Sequence, residues 1–511
     1  MPVLALGMLT ACAPLLAANP DYATDVGANP QGQPLTTAPD APAVPAIEAP
    51  KDDLAWRDCT PRLFGDAAVP APADITLECA TFDADLDPIS GATGSIGIGV
   101  VRARSSQTPS DAGPLVFTTG SDISTSVQLP TWLARNGADI LTTRPIVAVD
   151  RRGMGLSEAV DCRDTYERQE MRDQTQFQSG NDPVANLREV TVTATTNCTD
   201  IIAPGDSAYD NAHAAEDLER LRSIWDVPTL ALLGVGNGAQ VALAYAGSHP
   251  DKVSRLMLDS PLPLAVTAEA AAEQRVKGQQ AALEAFAAQC VATNCALAPD
   301  PLGAVDSLLA DARAGRGPGG ASVATLAAAL STGLGFPQGD GVASTHNLAG
   351  VLAAARDGDA GPITALIMQT ERQRLTDGQF VNSCSDALNR PTPDRVRELV
   401  VAWGNLYPQF GAVGALDLVK CLNWPSGSAP KDPENLKIPV LLLGVHNDAI
   451  IGNEGVAAVA ATVINAGANS RRVMWQGIGH GASTYTPCAM APLTKYLETG
   501  VLPETDTYCP A

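Results

Sequence analysis

Apolar positions in this chain fall into short continuous runs separated by helical periodicity, with strict alternation confined to one region. That region spans residues 75–86 (ITLECATFDADL) and 94–103 (GSIGIGVVRA), which read as an antiparallel entry to a sheet. The runs at 113–117 (GPLVF), 145–150 (PIVAVD) and 230–233 (LALL) have the all-apolar character of strands buried on both faces. Residues 210–225 (DNAHAAEDLERLRSIW) carry apolar side chains at helical spacing, with Asp217, Glu219 and Arg220 assigned to the outer side, and predict a helix packed on the sheet. Strand and helix alternate through residue 260, which predicts a parallel sheet with right-handed crossovers.

After Pro263 the pattern changes to Ala-rich helical sequence broken by Gly and Pro, running to about Pro430. Sheet-like runs return at 439–444 (PVLLLG) and 472–475 (RVMW). The expected organisation is one sheet domain from 55–262 and 435–511, with residues 263–434 as an inserted helical lid. Such an insertion sits over the carboxyl edge of the strands, where open α/β folds bind ligands.

Charge narrows the partners. With 33 Lys+Arg against 56 Asp+Glu, the net charge of −23 excludes nucleic acid and anionic membrane surfaces as natural partners. The first residues form a short apolar run ending in Leu9-Thr10-Ala11-Cys12, which resembles a lipobox cleaved before a lipid-modified Cys12, with an ordinary signal peptide as the alternative. Either way export is expected, to the outer face of the cell envelope, and a lipid anchor would be its contact with membrane. Residues 13–54, rich in Ala, Pro, Asp and Gly, read as a disordered tether.

Eleven cysteines less Cys12 leave ten, an even number suited to an oxidising compartment. Proximity in sequence suggests the pairs Cys59–Cys79, Cys162–Cys198, Cys290–Cys295, Cys384–Cys421 and Cys488–Cys509, although spacing does not determine connectivity. Without paired C-x-x-C spacing or nearby histidines, neither a metal nor another cofactor is expected.

The candidate chemistry lies at strand ends. The run at 230–233 opens into Gly234-Val235-Gly236-Asn237-Gly238, a tight turn followed by a helix of small residues. Asp448 follows the run at 439–444, and His480 lies in Gly477-Ile478-Gly479-His480-Gly481. Nucleophile elbow, acid and base in that chain order are the grammar of a hydrolytic triad. Gly236 stands at the nucleophile position, and the loop Thr118-Thr119-Gly120-Ser121-Asp122 stands where an oxyanion loop would. The oxyanion candidates are therefore Gly120, Ser121 and Asn237. His213, His249 and His446 are read as structural.

Across roughly residues 55 to 510 the chain resembles the secreted tripeptidyl aminopeptidases and prolyl-aminopeptidase-like serine hydrolases of actinobacteria. The matching segments include 150–157 (DRRGMGLS), the elbow and its helix, 286–295 (FAAQCVATNC), 381–386 (VNSCSD), 421–425 (CLNWP) and 496–503 (YLETGVLP). The resemblance implies an α/β-hydrolase fold with a helical lid, removal of short peptides from free N-termini, and acid and base roles for Asp448 and His480. The sequence departs from that family on chemistry: the elbow serine is Gly236, and a glycine-lined oxyanion loop is replaced by 118–122. Two functions follow as expectations. The first is a pseudohydrolase whose lid-covered cleft binds a peptide or acyl ligand without cleaving it. The second is an active hydrolase using a displaced nucleophile or a His480-activated water.

Overall fold

The computed structural model describes residues 44–511; the lipobox and Cys12 lie outside them. Ten strands form one sheet: β1 (Arg57–Asp58), β2 (Ile75–Asp85), β3 (Ser95–Ser105), β4 (Leu115–Thr118), β5 (Ile146–Val149), β6 (Leu230–Val235), β7 (Val253–Asp259), β8 (Val440–Asp448), β9 (Ser470–Gly479) and β10 (Thr507–Cys509). Their order is β1-β2-β3-β5-β4-β6-β7-β8-β9-β10. β1, β2, β3 and β5 pair antiparallel in turn, and every pairing from β5 through β4 to β10 is parallel. Strands from both ends of the chain thus complete a single, mostly parallel sheet.

The continuous apolar runs follow from helices on both faces. Along β6, Leu230 and Leu232 join the core on one side of the sheet, while Ala231, Leu233 and Val235 join the core on the other. A strand covered on both sides has no position at which a polar side chain reaches water, so the period-two signal vanishes.

Between β7 and β8 the chain is helical, from Ala268–Ala292 through the short turn Leu418–Cys421, with no strand among the described residues. The cap has a second contributor that the sequence reading did not anticipate. Helices Thr165–Asp173 and Pro183–Ile202, inserted after β5, pack against the cap. Asp173 accepts hydrogen bonds from the hydroxyls of Ser322 (2.9 Å) and Thr325 (2.8 Å), and Gln174 Nε2 donates to the Val413 carbonyl (3.0 Å).

Two sequence expectations need correction. Residues 44–54, assigned to the tether, run along the sheet domain: Lys51 N–H donates to Trp225 O (2.9 Å) and Arg255 Nη1 to Pro45 O (3.0 Å). Asp217, assigned to the outer face of its helix, points inward and is 3% exposed. Its carboxylate takes Arg152 Nε and Nη2 at 2.7 Å each, and the same guanidinium donates to the carbonyls of Asp85, Leu86 and Ala208. The paired arginine expected beneath the 151–157 turn is Arg152.

Disulfides join all five pairs suggested by proximity. None of them ties residues 263–434 to the rest of the chain. No helix among the described residues is long and apolar enough to cross a membrane.

Asp217→Asn should lower stability by about 3–5 kcal/mol, because it leaves the Arg152 guanidinium buried without its counter-charge. The urea unfolding midpoint measures this; a change comparable to that of an exposed substitution would contradict the pair's structural role.

Candidate functional site

Four strand ends converge at the carboxyl edge. Gly236 connects β6 to the helix Asn237–Ser248, with φ +59°. That left-handed conformation strains any residue bearing a Cβ, and glycine adopts it freely. The two flanking glycines are demanded by space: a Cβ on Gly234 would strike the Gly238 carbonyl, and one on Gly238 the Thr118 carbonyl.

Asp448 ends β8 and His480 follows β9. His480 Nδ1 lies 3.0 and 3.1 Å from the two Asp448 carboxylate oxygens. Asp448 Oδ1 also accepts the N–H groups of Ile450 (2.9 Å) and Ile451 (3.1 Å), which fix its rotamer. The histidine loop is anchored from below by Asp259 at the end of β7, whose carboxylate accepts Ala482 N–H (3.0 Å), Ser483 N–H (2.8 Å) and the Ser483 hydroxyl (2.7 Å). Phe336 of the cap meets the imidazole edge-on at 5.8 Å between ring centres. Asp448 is fully buried and His480 is 2% exposed.

The space above Gly236 holds the carboxylate of Asp122. A Cβ built on Gly236 would collide with Asp122 Oδ2 and come within 2.7 Å of His480 Nε2. Asp122 Oδ2 accepts Asn237 N–H at 2.5 Å and lies 3.7 Å from His480 Nε2. That ring nitrogen has no hydrogen-bond partner among the described residues.

Of the oxyanion candidates, Asn237 N–H is therefore occupied by a carboxylate from the chain itself. Ser121 N–H donates to Asn237 Oδ1 (2.9 Å) and Gly120 N–H to the Thr118 hydroxyl (3.2 Å). The expected convergence of Gly120, Ser121 and Asn237 amides on one substrate oxygen is not formed. Asn237 Oδ1 also accepts Arg151 Nη1, while its Nδ2 donates to Gln240 Oε1 (3.1 Å). Gln379, from the cap helix Asp377–Asp386, donates to both the Ser121 and Asp122 carbonyls (3.2 Å each). The loop is thus clamped from the elbow and from the cap.

The sequence marks 118–122 as an unusual loop but shows no role for Asp122, Gln379 or Arg374. One signal was available for Asp122: a carboxylate inside a loop whose amides would serve an anion. Arg374 and Gln379 sit in cap helices and carried none. The histidines read as structural make ordinary contacts. His213 lies between Asp210 (2.8 Å) and Asp87 (3.0 Å), His249 pairs with Glu216 (2.9 Å), and His446 is exposed.

Burial works against charge on the imidazole, but the carboxylates of Asp448 and Asp122 overcome it and raise the His480 pKa to about 10. Burial likewise opposes charge on Asp122, and His480, Asn237 N–H and the Arg374 guanidinium outweigh it, holding the carboxyl below its ordinary range. Both shifts favour an imidazolium facing the Asp122 carboxylate at neutral pH. An imidazolium has no lone pair with which to act as a general base.

In front of Asp122 and Asn237 opens a cavity of about 340 Å³, walled mainly by the cap. Gly236 and His480 are not part of its wall; Asp122 stands between them and the cavity.

Residues 132–300 match the model for the α/β hydrolase fold, and residues 407–509 match that for TAP-like protein. The serine protease Hip1 of Mycobacterium tuberculosis and that of Mycobacterium bovis are each 29% identical over 165 residues, covering 32% of this chain and 32% of the relative. The matched stretch thus spans about a third of those relatives. Among solved structures, a putative lipase from Acinetobacter baumannii is 14% identical with a TM-score of 0.35, covering 86% of this chain and 95% of its own. An esterase from Thermogutta terrifontis is 13% identical with a TM-score of 0.34, covering 82% and 96%. With its central sheet, elbow and helical cap, the chain has the α/β-hydrolase fold, and its C-terminal part is TAP-like.

Because the His480 pKa is raised, its ion pairs stabilise the fold fully below the unperturbed value of about 6.5 and cease to do so as pH rises through about 10. Asp122, being depressed, contributes above its ordinary carboxylate value and loses that contribution as pH falls. Nitrogen-15 histidine spectra at pH 8 should contain a doubly protonated imidazole that disappears in His480→Gln; identical spectra would contradict the charged assignment. Gly236→Ala should cost on the order of 1–3 kcal/mol through φ alone, read as a lowered urea midpoint.

Proposed function

We propose that this chain is an exported α/β-hydrolase-fold binding protein, with a capped cleft that holds a ligand and does not turn it over by the serine route. The observation that carries this reading is the Asp122 carboxylate, seated where a nucleophile's side chain would lie and bonded to the Asn237 N–H. Acyl transfer requires that N–H to receive the negative oxygen of a tetrahedral intermediate. A resident carboxylate takes the donor and repels the charge that would develop there. The missing hydroxyl removes the attacking group, and the charged His480 removes the base.

Five disulfides support export to an oxidising compartment. Anchoring through a lipid on Cys12 is the membrane contact this reading includes, and it rests on the lipobox-like sequence. The ligand class carried over from the sequence is a peptide or an acyl compound.

A second reading is favoured by one specific feature, the unpartnered His480 Nε2 that faces Asp122 at 3.7 Å. It has Asp122 as a displaced nucleophile, or a water activated by His480, and a hydrolase related in activity to serine peptidases. Charge on His480 counts against it: a carboxylate could attack without a base, but water attack, whether direct or on the acyl intermediate of Asp122, needs a neutral imidazole to accept the proton.

The wild-type protein should show no labelling by fluorophosphonates and no ester or peptide turnover above background. Gly236→Ser alone should also remain unlabelled, because the new side chain meets the Asp122 carboxylate. Asp122→Gly combined with Gly236→Ser should label slowly, with Asn237 N–H free but a second oxyanion donor still lacking, a deficit worth about 10²–10³ in rate. Labelling of the single Gly236→Ser variant would remove the blocking role given to Asp122. Wild-type turnover abolished by His480→Ala would replace the binding reading with the second one.

A further inference from the structure

The cavity has a charge opposite to that of the protein around it. Seven of its wall residues are Arg or Lys and three are Asp, in a chain where Asp and Glu outnumber Lys and Arg by 56 to 33. Each wall carboxylate already has a cation beside it. Asp386 pairs with Arg151 (2.7 Å), Asp417 with Lys420 and more distantly Arg275 (3.8 Å), and Asp122 faces His480. A ligand amine would therefore find no free counter-charge in the wall.

The cations differ among themselves. Arg163 and Arg168 share Asp377, and Arg172 pairs with Asp173 and Glu371. Arg390 is committed to the carbonyls of Cys384, Trp424 and Pro425. Arg374, the last residue of the helix Gly361–Arg374, has no carboxylate within ion-pair distance among the described residues. Its one hydrogen bond there runs from Nη1 to the Thr332 hydroxyl (3.1 Å), and its guanidinium lies 5.6 Å from the Phe336 ring centre. A guanidinium carries five N–H donors, so most of its capacity is unspent.

Between the polar groups of the wall lie two rows of small apolar side chains. Ala268, Ala271 and Ala272 from one cap helix face the cavity together with Ala324, Ala327 and Ala328 from another. Small side chains on both helices leave room for a linear apolar body, and the volume suits a small molecule.

We infer that this cavity takes a small amphiphilic carboxylate, its head group on Arg374 and its apolar tail along the two alanine rows. This rests on the binding reading above and specifies the ligand by charge. A peptide recognised through a free N-terminus is disfavoured by the same inventory, because its ammonium group would meet Arg374 and paired aspartates.

The test is calorimetric titration of the full chain at pH 7.5 with decanoate, decanol and decylamine. Decanoate should bind at least about tenfold more tightly than either of the others. Arg374→Met should abolish that preference, while Arg374→Lys keeps part of it. Arg316→Gln, at an exposed cap position outside the cavity wall, should leave it intact. Should Arg374→Met fail to fold, the wild-type charge series and its weakening by salt still decide the matter. Equal binding of the three ligands, tighter binding of decylamine, or no binding of decanoate would each overturn the inference. Fluorophosphonate labelling reads the other proposal separately: a labelled protein that still prefers decanoate would sink the non-catalytic reading and leave this one standing.

Discussion

Asp122 keeps its charge through neighbours acting together: the Asn237 N–H, a positively charged His480, the more distant Arg374 guanidinium, and a Gly236 that leaves room. Remove the imidazolium, and a carboxylate that is 14% exposed faces Asp448 across an empty space. Remove the carboxylate, and the imidazolium loses one of the two anions that make its charge tolerable in the interior. Restore a side chain at 236, and the carboxylate must leave. The loop that brings Asp122 there is in turn set by Asn237 and Gln379, so the elbow, the β4 loop, the β8 and β9 loops and the cap all bear on one carboxylate.

Strands were legible in the sequence wherever burial on both faces produced unbroken apolar runs, as at Leu230–Val235 and over residues 440–445. The loops after those strands were the natural place to look for chemistry, and the fold sets Asp448 and His480 side by side there. Legibility failed where a side chain's partner is remote in sequence. Asp217 looked like a solvated helix residue because the guanidinium that draws it inward belongs to Arg152. Residues 44–54 looked like tether because backbone hydrogen bonds such as Lys51 to Trp225 leave no trace in composition. Asp122 was visible as part of an unusual loop, but its position over Gly236 depends on β4 and β6 being neighbours, a property of the sheet and not of either segment.

The cap repeats the same lesson at larger scale. Its principal part follows β7, as the switch to Ala-rich helical sequence indicated, but helices Thr165–Asp173 and Pro183–Ile202 complete it from the other side of the elbow. Polar contacts join the two parts, including the Asp173 carboxylate against Ser322 and Thr325. Helices with modest apolar faces can assemble this way because buried hydrogen bonds, once fully matched, specify a partner that apolar area alone would leave ambiguous.

The placement of the disulfides has a mechanical consequence. Every bridge closes within residues 263–434 or within the remainder, and what crosses between them is non-covalent apart from the chain itself: ion pairs of Arg163 and Arg168 with Asp377 and of Arg151 with Asp386, Gln379 on the β4 loop, and apolar packing such as Phe336 against His480. Covalent stitching on either side of an unstitched boundary gives the molecule a line of weakness with stiff margins. Any force or solvent change strong enough to part those contacts would separate residues 263–434 from helices Thr165–Asp173 and Pro183–Ile202, dividing the cap along that line while each bridged side keeps its own shape, as a shell opens on its hinge.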